Sequence, residues 1–390
     1  MKELMRILLC LTLAAGIGQQ SKCSGSNDAP AVVADTAKTD SLIHFTISSV
    51  GDLMCHSTQY NYARVEADSF NFVPCFKFIQ PYLDASDLLL GNLETTLSGT
   101  EIPYSGYPFF NSPDDYAESI KKVGFDFIIT ANNHANDHGE NGIVRTIGIL
   151  DKLQLPHTGT FASSADRDSA RVVNVKGVKI GIVAYSYSTN GNPLAEGKPW
   201  LVNLCDSVLI EKDIKNCRAN GADLVIVFYH FGNEYQRQPS EYQENFVQYA
   251  ISCGADIIFG SHPHVLEPAA YFTPQHAAID TGFVIYSMGN FISNQKDEFT
   301  DEGIVVNLHL TKNNITGKIQ LNGADYIPTW VYRGTSPEMQ LHTVFPAVAA
   351  PVVPVPELIQ KSYASEMKKA AENTYEIMHT FTNDFLPAEK

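Results

Sequence analysis

Basic residues are scarce in this chain. Lys and Arg number 27 against 43 Asp and Glu, a formal net charge of −16 over 390 residues. A nucleic-acid backbone needs a basic face to bind it, so a nucleic-acid partner is excluded. Thiolate metal motifs are missing too. The seven cysteines contain no C-x-x-C pair, which removes support for a cysteine-held zinc. Cys205 and Cys217 are a pair that an oxidising compartment would allow, although nothing forces them together. The sequence has no internal repeat, no long low-complexity tract and no second long apolar run. Its 44% hydrophobic and 18% charged residues are ordinary for a globular core and argue against wholesale disorder.

The start of the chain reads as a targeting segment. Lys2 and Arg6 precede the apolar run 7–17, which is too short to span a bilayer and has the layout of a secretory signal. Residues 1–22 are therefore expected to be a signal peptide, and 23–40 a flexible tether poor in large apolar side chains. Cys23, followed by Ser24-Gly25-Ser26, is a candidate for lipid attachment, although Lys22 suits that processing poorly. The expectation is export across the inner membrane to the periplasm or cell surface, with an N-terminal anchor giving membrane association.

Beyond residue 40, apolar runs alternate with helical patterns. Alternation at 43–50 predicts a half-buried strand. Residues 72–83 have helical spacing. Ser112-Pro113 reads as the cap and first position of a helix. Strands are expected at 87–90, 125–130, 223–229, 256–259 and 283–287. A hairpin is expected at Lys176-Gly177, and another around Asn313-Asn314. Strands with helices first, then hairpins, give a layered α/β (α+β) architecture. One domain over 41–335, a Pro-rich linker at 336–356 and a helical segment at 357–390 complete the reading.

Six polar blocks each follow an apolar strand. They are Gly51-Asp52-Leu53-Met54-Cys55-His56, Gly91-Asn92-Leu93-Glu94, Asn132-Asn133-His134-Ala135-Asn136-Asp137, His230-Phe231-Gly232-Asn233-Glu234, His262-Pro263-His264 and Gly289-Asn290-Phe291. Strand-end loops of an open α/β sheet meet along one edge, where ligands bind. Each block alone also fits a turn or a hydrogen-bonded core group. Together they supply the nitrogen and oxygen donors that hold divalent metals. Asp52, His56, Asn92, Glu94, Asn133, His230, His262 and His264 are the candidate ligands. His134 is the candidate to stabilise or protonate a reacting oxygen, oriented by Asp137. Glu234 and Asn290 are candidates to meet substrate. Such a centre could polarise a phosphoryl oxygen and generate hydroxide near neutral pH. Carboxylates are few, so the count leaves one ion or two open.

As a set, in this order, the blocks resemble the bacterial poly-γ-glutamate capsule biosynthesis protein family, over about residues 45–333. That family is similar to the calcineurin-like metallophosphoesterases. The resemblance implies a four-layer αββα sandwich, placement outside the cytoplasm, and a role in making, exporting or anchoring a capsular polymer. It implies one or two divalent ions (Mn, Fe or Zn), a cell-envelope polymer or phosphoester as substrate, and membrane synthase subunits as partners. Asn133-His134 match the superfamily's Asn-His motif, His230 its lone strand-end histidine, and His262 with His264 its final pair. Three departures stand out. Asp52 and His56 are separated by three residues instead of one, Asn92 occupies the place of a bridging Asp, and His138 stands where an aromatic is usual. The rival expectation is a non-catalytic envelope protein that binds polymer or synthase partners and keeps a vestigial metal site.

Overall fold

A computed structural model describes residues 42–275, 279–382 and 384–388. The expected signal peptide, tether and Cys23 lie outside these residues. Two sheets stack face to face. In the first, His342–Pro346, Ile319–Arg333, Glu302–Asn313 and Leu42–Leu53 run antiparallel in turn, and Leu88–Leu93, Phe127–Ile129 and His157–Thr158 continue parallel. In the second, Val178–Ser186, Leu224–His230, Ile257–Ser261 and Gly282–Met288 are parallel, with antiparallel edges Val172–Val175 and Leu266–Phe272.

Period-two alternation decides the layering. Leu224, Ile226 and Phe228 point into the core between the sheets, together with Leu88, Leu90 and Phe127 from the facing sheet. Val225, Val227 and Tyr229 point the other way, onto Ile210, Ile214, Val247 and Ile251 of helices Ser207–Ala219 and Glu241–Cys253. Leu89, Leu93 and Ile128 likewise meet Tyr116, Ile120 and Leu150 of helices Asp114–Lys122 and Gly139–Lys152. The result is the expected four-layer αββα sandwich. Both faces of each sheet are covered, which is why the parallel strands read as near-continuous hydrophobe.

Local chemistry sets several boundaries. Lys176 and Gly177 both take positive φ (50° and 87°), the turn a tight right-twisting hairpin requires. Ser240 and Gln243 form a capping box at the start of Glu241–Cys253, satisfying its first free N–H groups. Other expectations need correction. Residues 72–83 are not one helix: Pro74 and Pro81 break them into the short turns Val73–Phe76 and Gln80–Leu83. Ser112 does not cap its helix. Pro113 takes that position, and the Ser112 hydroxyl pairs with Thr95 at 2.7 Å. Within the expected linker, His342–Pro346 is a fully buried strand of the first sheet.

The C-terminal segment docks on the domain. It forms helices Glu357–Ser362 and Ala364–Met378, and Ile377, Met378 and Phe385 join the inter-sheet core. Asn373 donates to Glu302 and accepts from Arg237 through its carbonyl. Among the described residues no helix is long and apolar enough to cross a membrane. Cys205 and Cys217 are free thiols.

Candidate metal centre

The C-terminal ends of parallel strands from both sheets come together at one rim. Register brings Asp52 opposite Asn92, Asp52 opposite Asn290, and His230 opposite Ser261. Close backbone packing fixes this junction. A Cβ on Gly51 would lie 1.9 Å from the Gly289 carbonyl, the same carbonyl that accepts from the Asp52 N–H at 3.0 Å.

Asp52, Glu94 and His230 are fully buried, and one ligand atom from each lies within 4.8 Å of the others. Glu234, His262 and His264 form a second group on the same criterion, with Glu234 at the surface. His264 links the two, with Nδ1 3.3 Å from Asp52 and Nε2 3.8 Å from Glu94. His134 acts electrostatically on His230, His262 and His56. The scattered imidazoles therefore converge.

Asp137 Oδ2 sits 2.8 Å from His134 Nδ1 and also accepts the Phe110 N–H. Asn133 places its oxygen 2.8 Å from His230 Nε2 and anchors its amide on Asn190. Asn92 has a different role from the one expected. Its amide donates to Asp52 at 2.8 Å, while its oxygen accepts from Asn132, so it braces a carboxylate. Asn290 is also buried behind the rim. It sits 3.1 Å from His264 Nδ1 and donates to Gln295 and the Thr300 carbonyl, which orients His264. His56 belongs to neither group; its Nδ1 faces Gln59 and the Asn294 N–H, and it caps helix Ser57–Ala63.

Sequence reading missed several supports. Ser261 Oγ lies 2.9 Å from His230 Nδ1, Tyr187 packs on the His262 ring at 4.3 Å, and Phe110 meets His134 edge-on at 4.6 Å. Ser261 had a usable signal: it stands at the strand end beside His262.

Electrostatics favour a cation. Both Glu94 oxygens, Asp52 Oδ2 and His262 Nδ1 are buried without a hydrogen-bond partner. Burial, then the Asp52 charge, pushes the Glu94 carboxyl well above the usual carboxylate range. Burial, then neighbouring imidazoles, pushes His230 and His262 well below the ordinary histidine range. Neutral imidazoles are metal-competent, His262 Nδ1 has no hydrogen-bond partner to displace, and a cation reverses the cost of ionising Glu94. His262 and His264 hold positive φ, 103° and 60°, strain of the kind found at functional sites. The donor set fits one or two divalent ions.

Comparison with known proteins agrees in family. Residues 46–295 match the model described as bacterial capsule synthesis protein PGA_cap. The chain belongs to that family. It is 28% identical over 275 residues to the capsule biosynthesis protein CapA of Bacillus anthracis, covering 69% of this chain and 64% of that protein. It is 29% identical over 283 residues to the PGA biosynthesis protein CapA of Bacillus subtilis, covering 71% and 70%. This member of the capsule family thus spans less than two thirds of the first relative's length. The calcineurin-like phosphoesterase YfkN of Bacillus subtilis has a similar structure, at 16% identity and a TM-score of 0.44, covering 85% of this chain and 99% of that one. That likeness carries no chemistry across.

Proposed function

We propose that this capsule-family protein is a metal-dependent phosphoesterase-like hydrolase. It acts outside the cytoplasm on a cell-envelope substrate, in the metabolism of a poly-γ-glutamate-type capsular polymer. One observation carries the reading: two buried carboxylates, Asp52 and Glu94, present unpartnered oxygens among imidazoles that burial keeps neutral. Buried charges persist only when paired or metal-bound.

Asp52, Glu94, His230, His262 and His264 would hold the ion, with Glu234 completing the outer group. A divalent cation there supplies Lewis acidity toward a phosphoryl oxygen. The protein's own part is positional. Asp137 fixes His134 through Nδ1, so Nε2 is the atom left to exchange a proton with a reacting oxygen. Ser261 holds Nδ1 of His230, directing Nε2 inward. Asn92 and Asn290 keep Asp52 and His264 in place.

The test is metal analysis of protein loaded separately with Mn, Fe or Zn, followed by hydrolysis of bis(p-nitrophenyl) phosphate and p-nitrophenyl phosphate. His134→Ala should keep the metal and lose turnover by about 100-fold or more. Bound metal with no hydrolysis of either ester would replace this reading with that of a non-catalytic polymer- or synthase-binding protein. Failure to bind metal would end the hydrolase reading.

A further inference from the structure

The loops around the centre carry exposed aromatic rings with no place in the core. Tyr107 is 75% exposed and Tyr235 44% exposed. Each lies beside a different site histidine: Tyr107 is 6.3 Å from the His134 ring, and Tyr235 is 6.3 Å from the His264 ring. Both are pinned to the site through backbone. The Tyr107 loop is fixed three residues on, where the Phe110 N–H donates to Asp137 at 2.7 Å. The Tyr235 N–H donates to the carbonyl of Pro263, between His262 and His264, at 2.8 Å. Tyr235 also holds φ 64°, a costly conformation that places its ring at the rim. Rings exposed beside the site histidines offer flat apolar faces on which a ligand ring can stack.

The charges at the rim narrow the ligand. Glu234 and Asp297 place carboxylates close enough to act on the Tyr235 hydroxyl. Arg237 is turned away, stacked over Phe299 at 4.3 Å and donating to the Asn373 carbonyl. An anionic chain meets repulsion there, whereas an uncharged flat face gains stacking area.

We infer that Tyr107 and Tyr235 contribute to a ring-binding subsite, and that the substrate is a phosphoester whose alcohol group is an uncharged ring, sugar or aryl. This rests on the phosphoesterase reading. It separates the group recognised beside the phosphorus from any polyanionic polymer the pathway makes.

The experiment is isothermal titration of metal-loaded, full-length protein with four non-hydrolysable phosphonates. They are methylphosphonate, phenylphosphonate, a C-glucosyl phosphonate and 4-phosphonobutyrate. At least one ring phosphonate should bind about threefold to tenfold more tightly than methylphosphonate, and which one does so separates an aryl from a sugar source. 4-Phosphonobutyrate should bind more weakly than methylphosphonate. Tyr107→Ala and Tyr235→Ala should each cut the ring preference and leave methylphosphonate affinity unchanged, while Tyr107→Phe keeps it. Equal binding of methyl and ring phosphonates would overturn the subsite and leave the phosphoesterase reading standing. If none of the four binds the metal-loaded protein, the phosphoester reading fails and the subsite with it.

Discussion

Replacing Glu94 by Gln probes the centre through stability alone, with no substrate needed. Glu94 is fully buried, neither oxygen has a donor, and its carboxyl is held well above the usual range. Burial and the neighbouring Asp52 charge disfavour its ionised form in metal-free protein, so a neutral amide of the same shape should leave stability unchanged or slightly higher. The metal-loaded state should respond differently. An ion that binds only the folded state at a thousandfold excess over Kd adds about 4 kcal/mol. Scaling the per-residue unfolding entropy to a domain of this size gives about 0.7 kcal/mol/K, so the wild type should gain about 6 °C in Tm. Losing an anionic ligand should weaken binding by about 100-fold or more. The same metal concentration then stabilises by about 1.4 kcal/mol, or about 2 °C. Differential scanning calorimetry with and without metal reads both numbers. A full wild-type shift in Glu94→Gln would remove Glu94 from the centre. A strongly destabilised metal-free variant would mean that the carboxylate serves a protein partner instead.

Three further outcomes follow from named contacts. Asp137→Asn should lower kcat by about 100-fold with the metal-induced Tm shift intact, because an amide no longer enforces the His134 tautomer; steady-state kinetics beside calorimetry checks this. Gly51→Ala should cost several kcal/mol in urea unfolding and abolish metal stabilisation, since its Cβ would lie 1.9 Å from the Gly289 carbonyl that also holds Asp52. Glu267 is buried, with one oxygen on Gln243 and the other unpartnered, and burial pushes its carboxyl from 4.5 to about 8. The folded state then binds more protons than the unfolded state between those values, so this group's contribution to stability falls as pH rises from 4.5 through about 8. Glu267→Gln should flatten that slope by up to about 5 kcal/mol across the window, measured as the difference in urea midpoints between variant and wild type.

Much of the fold was legible because its parallel strands are covered on both faces. Leu224–His230 is almost pure hydrophobe followed by a histidine, a pattern whose ending is as informative as its body. Sequence spacing failed where proline chemistry overrode periodicity, at Pro74 and Pro81, and where Pro-rich composition was read as a linker in place of an ordered strand. The Pro-rich stretch 336–356 reads as extended linker, yet His342–Pro346 within it is extended because it pairs with Ile319–Arg333. An extended backbone looks the same in sequence whether a sheet edge or solvent satisfies it. That two sheets stack, rather than one forming alone, came from the family resemblance and not from any periodicity.

Which donors are available, and that each follows an apolar strand, can be read along the chain, since hydrophobicity and alternation are local properties. How they divide the work emerges from the packing of distant segments. Asn92 and Asn290 became braces, and His56 became a helix cap. Ser261, Tyr187 and Phe110 entered as supports, and Tyr107 and Tyr235 were set at the rim. A side chain's role depends on the atom opposite it, and here that atom commonly comes from a segment many residues away, as when His230 meets Asn133 at 2.8 Å.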